Sequence, residues 1–161
     1  MHRVEQFWGH LRARVGPDEA ARARQILPPG AWPLFAAMPV ADRRHGLDVV
    51  ARLLAAGQDD PDLLAAALLH DAAKGEQMRL WHRVSGVLLG ATAPGLLRRL
   101  ASPDPASWRH AFHLYLHHAD LSADAARRAG CSARTVTFIR GSAGGGDAAQ
   151  LAALHAADEA S

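Results

Sequence analysis

His70 and Asp71 stand side by side at the end of an unbroken apolar run of seven residues, Leu63-Leu-Ala-Ala-Ala-Leu-Leu69, and Lys74 follows one turn later. Imidazole and carboxylate are both ligands for divalent ions, and an ammonium group beside them neutralises a bound anion. The apolar run predicts a helix buried on nearly every side. Neighbours on a helix point about 100° apart, so His70 and Asp71 can share an ion only where the helix ends and the ion sits over the terminus. The sequence places them at such an end. The alternative is a surface helix end without a ligand. A terminal histidine is favourable against the helix dipole, but Asp71 at the same terminus is not.

Two adjacent side chains do not complete a metal site, so further ligands must come from other elements. His45, in Arg43-Arg44-His45-Gly-Leu-Asp48, lies on the preceding helix, and Asp158, in Leu154-His-Ala-Ala-Asp158, lies on the last. Asp120 and Asp124 compete with Asp158 for the same role. Lys74 is the sole lysine among 18 basic side chains, so compositional bias alone would have put arginine there. Arg43 and Arg44 are either a solvated face or phosphate contacts. His110, His113 and His117 fall at i, i+3 and i+7 on one helical face, a separate zinc site or simply a polar stripe. His118 is a candidate active-site residue. His2, His10, His82 and His155 have no partner visible in the sequence.

The elements that must position these residues all read as helices. Val4, Phe7, Trp8 and Leu11 recur at helical spacing, and Gly16-Pro17-Asp18 interrupts them. Further helices are expected over 18–27 and 41–56, the second closed by Gly57. Between them Trp32, Leu34, Phe35 and Met38 form a short apolar helix that packs on the core. Asp60 and Pro61 supply a capping carboxylate and a first-position proline for the central helix. Helices are also expected over 78–89, 94–100, 108–116 and 121–129, with a loop at 102–107. Ser132 caps the next, which carries Val136, Phe138 and Ile139, and Asp147 caps the last. No segment alternates with period two, so the fold class is all-α. A single domain is expected, a helical extension over 1–39 packed on a body over 40–161.

Composition narrows the function classes. The 161 residues are 49% hydrophobic and 21% charged, with net charge +2, ordinary for a globular chain able to bury a core. The arginines are scattered rather than striped, which argues against nucleic acid as the main partner. Cys131 is the only cysteine, which excludes an intrachain disulfide and a multi-cysteine metal cluster. The first residues are too charged for a signal peptide, and the uncharged stretches 25–41 and 84–97 are too short and proline-broken to span a bilayer. The default location is cytoplasmic. The second stretch offers a surface for self-association, and so for a homo-oligomer.

The order His45, His70-Asp71, Asp158 resembles the signature of the HD-domain superfamily of metal-dependent phosphohydrolases. Arg44-His45-Gly-Leu-Asp-Val-Val is similar to that family's first histidine helix. Ala66-Ala-Leu-Leu-His-Asp-Ala-Ala-Lys74 is similar to its central helix, and Leu154-His-Ala-Ala-Asp158 to its terminal one. The resemblance covers about residues 40–158. It implies an HD-like helical bundle in which His45, His70, Asp71 and Asp158 ligate one divalent ion, manganese, magnesium, iron or zinc. Asp71 would also accept a proton from the attacking water, and Lys74 would neutralise phosphate charge, with Arg44 and His118 contacting substrate. The implied substrate is a small phosphorylated molecule such as a nucleotide. Some members hold a second ion through two more histidines. Here His117-His118 resembles the stretch carrying one of them, but Gly141-Ser142 stands where the other is expected, which implies either one ion per chain or a second ion held weakly by His117 or His118 and water. That departure also leaves open a degenerate module that binds a nucleotide or a protein partner without turnover. The Gly-Tyr-Pro element of the cyclic-dinucleotide subgroup is absent.

Overall fold

The computed structural model describes residues 14–75, 85 and 88–161. The amphipathic helix expected around Val4 to Leu11, and most of that expected over 78–89 with Trp81 and His82, lie outside the described residues. All regular structure among the described residues is helical: α1 (Pro17–Ile26), a 3-10 turn (Pro29–Ala31), α2 (Trp32–Ala36), α3 (Val40–Ala55), α4 (Pro61–Leu69), α5 (Pro94–Leu100), α6 (His110–Arg128), α7 (Ala133–Ile139) and α8 (Ala148–Glu159). No helix among them is long and apolar enough to cross a membrane.

Helix α4 is the axis of the bundle. The Asp60 carboxylate accepts the backbone N–H of Asp62 at 3.0 Å and of Leu63 at 3.1 Å, and Pro61 occupies a position that needs no N–H. Every residue from Leu63 to Leu69 is at most 7% exposed. At roughly 2 kcal/mol per buried leucine, this run is a large share of the hydrophobic driving force. α1, α2, α3, α6, α7 and α8 all pack against it. Phe35 and Met38 belong to the same core, as the sequence expected of that short apolar helix.

Two expectations are corrected. The helices expected over 108–116 and 121–129 are one continuous helix, α6. The intervening His117-His118-Ala119-Asp120 holds neither glycine nor proline, so nothing in the backbone stops propagation, and Phe112, Ser122, Ala123 and Ala126 are buried along its length. Asp147 precedes α8, but its carboxylate makes no capping bond. It is drawn instead to Arg134, whose Nε and Nη2 reach its two oxygens at 3.0 Å each. Ser132 caps α7 as expected, accepting the Thr135 N–H at 3.0 Å.

Arg134 ties three helices together. Its Nη1 donates to both Asp60 oxygens at 2.7 Å, and its Nη2 also reaches Gln150 Oε1 at 3.0 Å. The start of α4, the start of α7 and the start of α8 are thereby locked by one guanidinium. Burial raises the Asp60 carboxyl, but bonds from Arg134 and the Leu63 N–H outweigh it and leave the group below its ordinary value. A depressed folded value means that the stabilisation is whole above the unfolded pKa, about 3.9, and fades as pH falls through the lower folded one. Arg134→Gln is therefore expected to lower the melting temperature most near neutrality, with the gap to wild type closing in acid. Thermal melts at about pH 7 and about pH 3 check this, and equal gaps at both would refute it.

Candidate metal centre

The chain after Leu69 tightens into successive turns, with Ala72 N–H bonded to the Leu69 carbonyl and Lys74 N–H to that of Asp71, each at 3.0 Å. This exit from the helix brings His70 and Asp71 onto one side, where His70 Nε2 and Asp71 Oδ1 are 3.6 Å apart. The Ala73 N–H is held by Ser122 Oγ of α6 at 3.0 Å, so a fully buried serine fixes the turn.

His45 arrives from α3 and Asp158 from α8. His45 Nε2 lies 2.8 Å from Asp158 Oδ1, and His70 Nε2 lies 3.3 Å from the same oxygen. The two imidazoles meet edge to face with ring centroids 5.3 Å apart. One ligand atom from each of His45, His70 and Asp158 falls within 4.8 Å of the others. Gly46 allows this approach: a β-carbon there would stand 3.1 Å from the Ala67 carbonyl oxygen and 3.3 Å from Leu68 Cα, both backbone atoms of α4. The helices cross in contact at Gly46, and His45 is carried in beside His70.

Two imidazoles, two carboxylates and an ammonium group share the electrostatics of the cluster. His70 Nδ1 is 2.9 Å from the Ala67 carbonyl, which can only accept, so Nδ1 carries the proton. Nε2 then faces two carboxylate oxygens, Asp158 Oδ1 at 3.3 Å and Asp71 Oδ1 at 3.6 Å. His70 Nε2 and Asp71 Oδ1 are buried and have no hydrogen-bond partner. Burial pushes the His70 ring down, yet the charges of Asp71 and Asp158 overcome it and hold the ring above its ordinary value. Burial likewise raises both carboxyls, while the opposing charges of His70 and Lys74 keep Asp71 low and contacts with His45 and His70 keep Asp158 far below the carboxylate range. Two imidazoles and a carboxylate brought together from three elements, one ring oriented by a backbone carbonyl, are a donor set that could hold a divalent ion.

Asp71 stands just outside the tight triad. Its Oδ2 is held by Lys74 Nζ at 2.5 Å, so the sole lysine neutralises this buried carboxylate. Arg44 is turned away, paired with Glu19 of α1 and with Asp48 at 2.8 Å. Asp124 and Asp120 face Arg140 at 2.9 and 3.6 Å. A cavity of about 170 Å³ opens beside the cluster, lined by His70, Asp158, His118, His155, Phe138 and Arg140, among others. Burial and the charge of Lys74 hold the His118 ring below its ordinary value, and its Nδ1 donates to the Tyr115 carbonyl at 2.9 Å. Ser122 and His155 are the members that sequence reasoning missed. Ser122 sits four residues after His118 and His155 three before Asp158, so helical spacing from a candidate residue was the available signal. Gly141 ends α7 at φ +70°, with Ser142 N–H returned to the Thr137 carbonyl at 3.2 Å, so a helix stop occupies the place where a further histidine was in question.

His110, His113 and His117 form a row apart from this cluster, with successive ring centroids 5.6 and 4.6 Å apart. No family model, curated protein or solved structure matches the chain. A β-carbon at Gly46 has only backbone to push against, so Gly46→Ala is expected to part α3 from α4. Divalent-ion affinity should fall roughly tenfold, the lower end of what disturbing a ligand's support costs. Calorimetric titration with manganese or zinc measures it, and an unchanged isotherm would show that the crossing does not set the site.

Proposed function

We propose that the chain is a metal-dependent phosphohydrolase of HD type, acting on a phosphate ester or anhydride of a nucleotide or similar small molecule. The observation that carries this reading is the convergence of His45, His70 and Asp158, from three separate elements, with the buried His70 Nε2 set between the carboxylates of Asp71 and Asp158. His45, His70 and Asp158 would hold a divalent ion, with Asp71 at its flank. Such an ion, when bound, supplies Lewis acidity toward a phosphoryl oxygen and an acidified water.

The chain's own residues do the rest. Asp71 Oδ1, unpartnered and buried, accepts a proton from the attacking water, while Lys74 holds Oδ2 and fixes the carboxylate in place. His118 and His155 line the cavity from α6 and α8 and orient the phosphoryl group. At about 170 Å³, against the ~300–1,000 Å³ usual for enclosed ligands, the cavity takes a phosphoryl group and leaves a nucleoside at its mouth. One observation favours a second reading, a module that binds without turnover: Lys74 is already spent on Asp71, which removes a cation from the phosphate.

The test is hydrolysis of an aryl phosphate and a nucleotide panel by purified protein supplied with manganese or cobalt. Turnover is expected, and His70→Ala should reduce it by at least about 100-fold with the helical spectrum unchanged. Nucleotide binding without turnover would favour the module, and neither binding nor turnover would remove the reading.

A further inference from the structure

The histidine row on α6 is not used by the centre described above. His113 is half-buried and His117 exposed, one helical turn apart, and their rings lie 4.6 Å apart at an angle of 44°. His110 stacks on the other side of His113 at 5.6 Å and 25°. Its Nδ1 is 3.1 Å from the Ser102 carbonyl, which can only accept, so that ring is anchored with its proton on Nδ1. Three imidazoles thus stand in contact along one line of a helix, the first pinned to a loop carbonyl.

We propose that His113 and His117 chelate a divalent transition ion of the zinc, nickel or copper class at the surface of α6, independently of the His45–His70–Asp158 centre. Metal–nitrogen bonds of about 2.0–2.1 Å require two ring nitrogens to approach to within roughly 3–4 Å, and rings already in contact across one helical turn meet that need with small side-chain rotations. Helix geometry makes the pair bidentate: residues four apart face the same side, whereas His110 and His117 are two turns apart and do not share an ion. His110 instead backs the His113 ring and holds it in register. Burial, and then the neighbouring His117 and His110 rings, lower the proton affinity of His113, which favours the neutral imidazole that binds metal. An all-nitrogen donor pair selects zinc, nickel and copper over magnesium and manganese. The chemistry therefore differs from that of the mixed nitrogen and oxygen centre.

The test uses the full chain titrated calorimetrically with nickel, zinc and magnesium. The double variant His113→Gln/His117→Gln is expected to bind one nickel fewer than wild type, or to hold it roughly tenfold more weakly for each imidazole removed. Magnesium should leave both proteins indistinguishable. In His70→Ala, the helix site should still take up nickel, which separates failure of this proposal from failure of the buried centre. Should His70→Ala not fold, wild type against the double variant decides alone, because both keep the buried centre intact. Addition of zinc should also shift the ring resonances of His113 and His117 in wild type. Identical nickel isotherms for wild type and the double variant would overturn the proposal.

Discussion

The structure depends on one electrostatic constraint, a buried imidazole nitrogen set between two carboxylate oxygens. An arrangement with that much uncompensated negative potential is costly in a low-dielectric interior unless a proton or a cation completes it. The chain supplies part of the compensation itself, through Lys74 on Asp71 and through the contact of His45 with Asp158. What remains uncompensated is His70 Nε2 and Asp71 Oδ1. Buried polar atoms in that state are rare in folded chains.

The surrounding fold makes the arrangement rigid. α4 is buried from Leu63 to Leu69, so its C-terminal end cannot shift without disturbing six packed helices. Gly46 lets α3 lie against it backbone to backbone, and Arg134 fastens the opposite end of α4 to α7 and α8. A site held between a close helix crossing and a charged clamp is well placed to keep its ligand atoms within the narrow tolerance that metal coordination demands.

Much of this was legible in the residues. The apolar run ending in His70-Asp71 announced both the buried helix and its polar terminus, because periodicity and a capped start are local signals. Asp60-Pro61 fixed where that helix begins for the same reason. The single helix of α6 was misread as two, since a His-His-Ala-Asp stretch is weakly helical by propensity and only its packed flanks decide the matter. Arg134 was invisible as a hub, because its partners Asp60, Asp147 and Gln150 meet only in three dimensions. So was the pairing of Lys74 with Asp71, where the sequence gives spacing but not which of two anions the ammonium will choose. The same holds for His155, whose role follows from which face of α8 turns toward the cavity.

His45 and Asp158 are 113 residues apart in the chain, yet their side chains touch. Closing so long a segment carries an entropic cost that nothing local offsets, so this contact belongs to the end of folding rather than its beginning. The consequence concerns biogenesis. A growing polypeptide can form the apolar hairpin of α3 and α4 early and present two imidazoles, but it has no complete cage until α8 has docked. Were the cluster to hold an ion, its capture would in this way be coupled to the finished bundle.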